Sequence, residues 1–207
     1  ITKREVEAMS KSKYNVVNPD DVIAEYGADC FRMFEMFLGP IEQSKPWDDK
    51  GISGVSNFLR KFWRLFYEDI TGKQKWNEDA PNETELKILH KTIKKIGEDI
   101  ERLNFNTSVS AFMIATNELT SIGCHKRAIL EPLVITLAPF APFITEELWS
   151  ILGNKGSVHQ TGFPEYEEKY LTESSFNYPV SINGKVRAQV NLAFYLDAQD
   201  VESQVLE

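Results

Sequence analysis

The residues best equipped for chemistry are Met9-Ser10-Lys11-Ser12-Lys13, close to the start of the chain. Lys11 and Lys13 carry compact ammonium charges on long, mobile stems. Ser10 and Ser12 offer hydroxyls that donate to phosphate oxygens or fold back onto the loop's own backbone. Such a loop suits a triphosphate whose negative charge grows on a departing pyrophosphate. A charge-assisted contact is worth about 1.5–3 kcal/mol. One formed only in the transition state therefore accelerates a reaction by roughly 10- to 150-fold. Lysine and serine are also ordinary surface residues, so the residue types alone leave a solvated basic loop as the plainer reading.

Other candidate groups are sparser. Cys30 and Cys124 stand alone without metal spacing, and read as reduced thiols of a cytoplasmic protein. His90, His125 and His159 are scattered, so no metal site is expected. Glu146 and Glu147 are paired carboxylates, but they fall in the first turns of an expected helix, where acidic groups are favoured without any catalytic role. The chain has 207 residues, 42% hydrophobic, with a net charge of −8. That balance fits a packed globular protein and argues against a strongly basic nucleic-acid module, though local basic stripes outweigh the sum. No apolar run reaches membrane-spanning length and no signal peptide is visible, so no membrane is expected as a partner. Isoleucine at position 1 is what a piece of a longer protein would show.

The elements that must position the loop are mostly helical. Asn18-Pro19-Asp20-Asp21 is a helix start, with Asn18 as cap and Pro19 at the first helical position. Gly27 ends that helix, and a second runs from about Asp29 to Leu38 before Gly39-Pro40. Val55, Phe58, Leu59, Phe62, Trp63 and Phe66 recur at helical spacing, which predicts a helix from Ile52 to Thr71. Lys73 to Pro81 reads as a polar linker. Asn82 with Glu85 three residues later is a capping box. Leu86, Leu89, Ile93, Ile96, Ile100 and Leu103 then form a bundle seam. Further helices are predicted over 108–122, 126–137 and from Pro142 to Leu152.

Near the end the period changes to two. Val180, Ile182, Val186, Ala188 and Val190 alternate across Asn183-Gly184, a two-residue hairpin signal. Asp197 to Glu207 reads as a last helix. The fold class expected is mainly α: an antiparallel helical bundle with a C-terminal β-hairpin starting a small α+β unit.

Two sets of basic residues accompany these helices. Arg60, Lys61 and Arg64 lie largely off the apolar face of their helix. Lys87, Lys91, Lys94 and Lys95 form a stripe on the outside of the seam helix. Lys185 and Arg187 follow the hairpin turn. Each reads either as a solvated face or as a contact with a nucleic-acid backbone.

Met9-Ser10-Lys11-Ser12 resembles the Lys-Met-Ser-Lys-Ser loop of class I aminoacyl-tRNA synthetases. Ala8 stands where that family usually has its first lysine. Lys45-Pro46-Trp47-Asp48 with Phe62-Trp63-Arg64, His90 to Lys95, Phe105-Asn106-Thr107 and Val180 to Ala188 resemble the bacterial leucyl members. Ala138 to Ile144, with Glu146 to Trp149, is shared with the isoleucyl and valyl members. The resemblance implies a part of a leucine–tRNA ligase, an enzyme of protein biosynthesis that activates leucine with ATP and Mg2+ and transfers it to tRNA(Leu). It implies Lys11 as the catalytic, phosphate-contacting lysine, with Met9, Ser10 and Ser12 shaping the ATP loop. It implies residues 1–40 as loop and junction to a catalytic core, 41–155 as the anticodon-binding bundle, and 156–207 as the start of a C-terminal domain. A polypeptide of these residues alone is then expected to be inactive in adenylation. A sister isoleucyl or valyl enzyme, a non-catalytic RNA-binding helical module and a protein-interaction bundle remain alternatives.

Overall fold

Asn18 starts the first helix as its residue type dictates. Its side chain accepts from the Asp20 amide at 3.3 Å, and Pro19 opens α1 (Pro19–Tyr26). Gly27, at φ +89°, separates α1 from α2 (Ala28–Phe37). A side chain is disfavoured at that dihedral, so glycine suits the corner. Residues 7–47, 49–171, 175–182 and 185–193 are described in this computed structural model. Packing divides the chain into two compact units, Ile1–Tyr166 and Glu167–Glu207.

The first unit is a helical bundle. α2 buries Cys30, Met33 and Phe34. α3 (Asp49–Trp63) buries Ile52, Val55, Phe58 and Phe62. The expected continuation of α3 to Thr71 is not what forms. The Leu65 amide bonds the Phe62 carbonyl and that of Phe66 the Trp63 carbonyl, tightening the last turn. The chain then reverses through Gly72, at φ +63°, and the Lys75 amide returns to the Phe66 carbonyl at 2.8 Å. Leu65 and Phe66 stay buried, which is why the apolar period runs past the helix end.

The polar stretch 73–81 is docked rather than free. The Asn77 amide donates to the His125 carbonyl at 3.0 Å, and the Arg127 amide to the Asn77 carbonyl at 2.8 Å. α4 (Glu83–Glu101) begins with the expected capping box: Asn82 accepts from the Glu85 amide at 2.9 Å, and Glu85 from the Asn82 amide at 2.7 Å. Leu89, Ile93 and Ile96 of the seam are buried, whereas Leu103 lies past the helix at φ +58°, 53% exposed. α5 (Phe105–Ser121), α6 (Arg127–Leu137) and α7 (Pro142–Ile151) complete the bundle. α5 packs on α4, α2 and α3, and α6 packs on α4 and α7. Phe112 meets Phe140 edge-on at 5.3 Å, and Phe58, Phe62 and Phe66 follow one another at 6.2 and 5.6 Å. Each fully buried side chain of this size contributes about 1.5–3 kcal/mol, so these aromatics add substantially to the aliphatic core around them.

In the second unit, β1 (Ser175–Ile182) pairs antiparallel with β2 (Lys185–Ala193). Ile182 opposes Lys185, which leaves two residues between the strands, as the hairpin signal requires. Val180 opposes Ala188 but Ser181 opposes Val186, so Arg187 is an extra, bulged residue. A bulge shifts the register by one. The strict alternation expected of Val186, Ala188 and Val190 is therefore broken, and Val186 is 60% exposed. Asn183-Gly184 and the helix expected over 197–207 lie outside the described residues.

Candidate functional site

The loop at residues 8–15 is held by its own polar groups. The Ser10 amide donates to Asn15 Oδ1 at 2.8 Å, and Asn15 Nδ2 donates to the Ala8 carbonyl at 3.3 Å. Ser10 and Ser12 share a hydrogen bond between hydroxyls at 2.8 Å. Lys11–Lys13 form one 3-10 turn, closed by Tyr14 in the left-handed region at φ 54°. The two lysines differ. Lys13 Nζ pairs with Glu7 Oε2 at 2.9 Å. Lys11 is exposed and has no ion-pair partner among the described residues. The structure thus leaves Lys11 as the loop ammonium available to an anion. Asn15 was not singled out from the sequence, and its position just past the lysines is the only signal for it.

Met9 borders an open, largely apolar trough of about 1080 Å³, together with Ile23, Phe31, Met36, Trp47 and Phe143. Asp29 also lines it and is 8% exposed. Its carboxylate accepts from the Phe143 amide at 3.1 Å and the Ile144 amide at 2.7 Å. Burial pushes this carboxyl above its ordinary 3.8, against the Ile144 and Phe143 amides and the Arg32 charge, which pull it down. Arg32 donates from Nε and Nη2 to the Pro139 carbonyl at 3.3 and 2.9 Å.

The basic candidates are mostly engaged inside the bundle. Lys61 Nζ donates to Asn117 Oδ1 at 2.6 Å. Arg64 is paired with Asp69, Lys87 with Glu83 at 2.7 Å, and Lys95 with the buried Asp99 at 2.7 Å. Lys94 lies 5.2 Å from the centre of the Tyr166 ring. Arg60 and Lys91 are exposed. Their helices, α3 and α4, both pack on α5, from which Asn117 reaches Lys61. Arg187 is exposed at its bulge, and Lys185 lies in β2.

Glu146 accepts from the Ser157 hydroxyl at 2.9 Å and the Val158 amide at 3.1 Å, anchoring the 3-10 turn Val158–Gln160. Its role is structural. Cys30 and Cys124 are free and buried, and burial pushes both thiols up to about 11. Among the described residues no cluster could hold a metal ion, and no helix is long and apolar enough to cross a membrane.

The family described as the anticodon-binding domain of tRNA ligase matches residues 82–202, more than half of the sequence. The chain belongs to that family. The match covers α4 to α7 and the hairpin, the part that carries Lys87, Lys91, Lys94 and Lys95. Homology to leucine–tRNA ligases extends over the whole chain. The leucine–tRNA ligase of Cytophaga hutchinsonii is 58% identical over 202 residues, 98% of this chain and 22% of that protein. That of Flavobacterium johnsoniae is 56% identical over 207 residues, 100% of this chain and 22% of that protein. The chain therefore spans 22% of the length of these relatives. A solved chain from a ternary complex of Agrobacterium radiobacter LeuRS with tRNA and LeuAMS has the same fold, with a TM-score of 0.71 and 31% identity. The match covers 96% of this chain and 28% of that one.

Proposed function

We propose that this chain is the part of a leucine–tRNA ligase that supplies the ATP-closing loop and the helical tRNA-binding bundle. The whole protein activates leucine with ATP and transfers it to tRNA(Leu). The observation that carries this reading is the identity of 56% to a leucine–tRNA ligase across all 207 residues, the loop included. Residues 1–40 serve as loop and junction, 41–155 as the bundle, and 156–207 as the start of a further domain. The loop geometry supports the assignment of Lys11. Its ammonium is exposed while Lys13 is paired, and the turn that carries it is braced by Asn15 and the two serine hydroxyls. Lys11 binds ATP phosphate oxygens and stabilises the charge that develops on pyrophosphate. Met9, Ser10 and Ser12 shape the loop around it. Mg2+ accompanies the ATP phosphates.

The tRNA is held through its backbone. Arg60, Lys61, Arg64, Lys87, Lys91, Lys94, Lys185 and Arg187 are the candidate contacts, and Lys95, tied to Asp99, is set apart from them. Phosphate contacts of this kind make affinity fall with salt and carry little sequence information. The deciding experiment is Lys11→Ala in the full-length protein. Leucine-dependent ATP–pyrophosphate exchange should fall roughly 10- to 150-fold, with tRNA affinity unchanged within twofold. Exchange at the wild-type rate would remove Lys11 from the mechanism.

A further inference from the structure

α7 begins with a defect that another helix repairs. Its N-cap is Ala141, which offers no side-chain bond, and alanine is among the poorest residues for that position. Pro142 has no amide hydrogen, so Phe143 and Ile144 present the first free N–H groups. Asp29, on α2, accepts both. One turn further along α2, Arg32 donates to the Pro139 carbonyl, just past the end of α6. A carboxylate thus meets the positive start of one helix, and a guanidinium meets a carbonyl beside the end of the preceding one. Two charged side chains on one helix grip both sides of the same corner, 138–144.

The apolar face of α2 could not set its position with this accuracy. Cys30, Met33 and Phe34 pack in the core, but apolar burial is non-directional, whereas hydrogen bonds weaken steeply off line. From α2 the chain returns through Gly27 and α1 to the loop at residues 9–13. Met9, from the loop, lines the same trough as Asp29, Arg32, Pro142 and Phe143. The orientation of α2 therefore sets where the loop stands relative to the bundle.

We infer that Asp29 and Arg32 are positioning residues, which tie the signature loop to the α6–α7 corner of the tRNA-binding bundle and so place Lys11 for adenylation. This rests on the proposed function, because it assigns the clamp a catalytic consequence. A misplacement of about 1 Å at a reacting centre costs up to about 100-fold.

The test uses full-length protein carrying Asp29→Ala, Asp29→Asn, Arg32→Gln or Arg32→Lys. Leucine-dependent pyrophosphate exchange is measured with kcat and KM separated. Amide hydrogen exchange is followed over residues 7–37 and 142–146, with α4 and α5 as internal reference. Asp29→Ala and Arg32→Gln should lower kcat at least about 10-fold, leave the leucine KM within twofold, and speed amide exchange in both segments but not in α4 or α5. Arg32→Lys keeps a charged donor and should restore at least a third of kcat. Wild-type kcat in Arg32→Gln with unchanged amide exchange would overturn the inference. Equal protection loss in α4 and α5 would also overturn it, by showing a general fold defect. If Asp29→Ala does not fold, Asp29→Asn and Arg32→Gln decide. A wild-type protein without leucine-dependent exchange would sink the proposed function instead, and the hydrogen-exchange arm would still judge the clamp.

Discussion

Replacing Lys95 with alanine separates the two tasks open to its ammonium. Lys95 was expected on a stripe that is either a solvated face or a contact with tRNA, and its Nζ lies 2.7 Å from Asp99 Oδ1. The Asp99 side chain is 3% exposed and that of Lys95 is 49% exposed. The other Asp99 oxygen accepts from Thr107 Oγ1 at 2.7 Å, which ties the end of α4 to the start of α5. An exposed i, i+4 pair is worth about 0.3–0.5 kcal/mol, whereas breaking a fully buried pair costs about 3–5 kcal/mol. Here one partner is buried, the other is half in water, and Thr107 remains. The loss should be about 1–2 kcal/mol, with the Coulombic part discounted for solvent screening. Urea unfolding of Lys95→Ala should show that loss with an unchanged m-value. Filter binding to tRNA between 50 and 200 mM salt should show a salt slope close to wild type. Asp99→Asn removes the same pair without removing the cation, so it should destabilise similarly. The reasoning is refuted if Lys95→Ala unfolds like wild type while its salt slope drops by about 0.7–0.9, the mark of one lost phosphate contact.

Two further outcomes follow from the same structure. His125 Nδ1 lies 2.8 Å from the Leu65 carbonyl; burial, and then the Lys75 charge, hold the imidazole below its ordinary 6.5 despite that bond. The unfolded chain therefore takes up this proton first as pH falls, so stability should drop from pH 6.5 down to the folded-state value. His125→Gln, measured by urea unfolding at several pH values, should flatten that slope; an unchanged slope would assign it to other groups. Leu103 holds φ +58° and is 53% exposed, at the position past a helix end where glycine is preferred. Leu103→Gly should raise stability by about 0.5–1 kcal/mol, the relief of roughly 1–2 kcal/mol of strain less the entropy of glycine. A loss in thermal unfolding would show that the leucine side chain packs to greater effect than its exposure suggests.

The functional site was only partly legible. By residue type Met9 to Ser12 allowed a phosphate-handling loop but left a solvated one as the plainer reading, and the resemblance to the synthetase loop is what favoured the first. The same string did not reveal that, among the described residues, Lys13 would be paired with Glu7 and Lys11 would have no ion-pair partner. Nor did it reveal the bracing by Asn15, because an amide side chain bonds whatever backbone the loop brings near it. The basic stripe was visible as a pattern. Its engagement with Glu83, Asp99 and the Tyr166 ring depends on which groups the folded chain sets beside it.

What the sequence determined by itself is what forms within one turn of chain. Asn18 and Asn82 cap their helices from two or three residues away, and Leu89, Ile93 and Ile96 share a face through helical period alone. The two-residue spacing of the hairpin is of the same kind. Tertiary structure decided the rest. α3 stops at Trp63 because the chain beyond it finds partners on its own return strand. Arg187 bulges because two strands must settle a common register. Ala141 offers no side-chain cap, and Asp29 arrives from 115 positions away to accept the Ile144 amide in its place. Local hydrogen bonds and side-chain period are written into neighbouring residues. The partners of a buried charge are chosen by packing, which no short stretch of sequence contains.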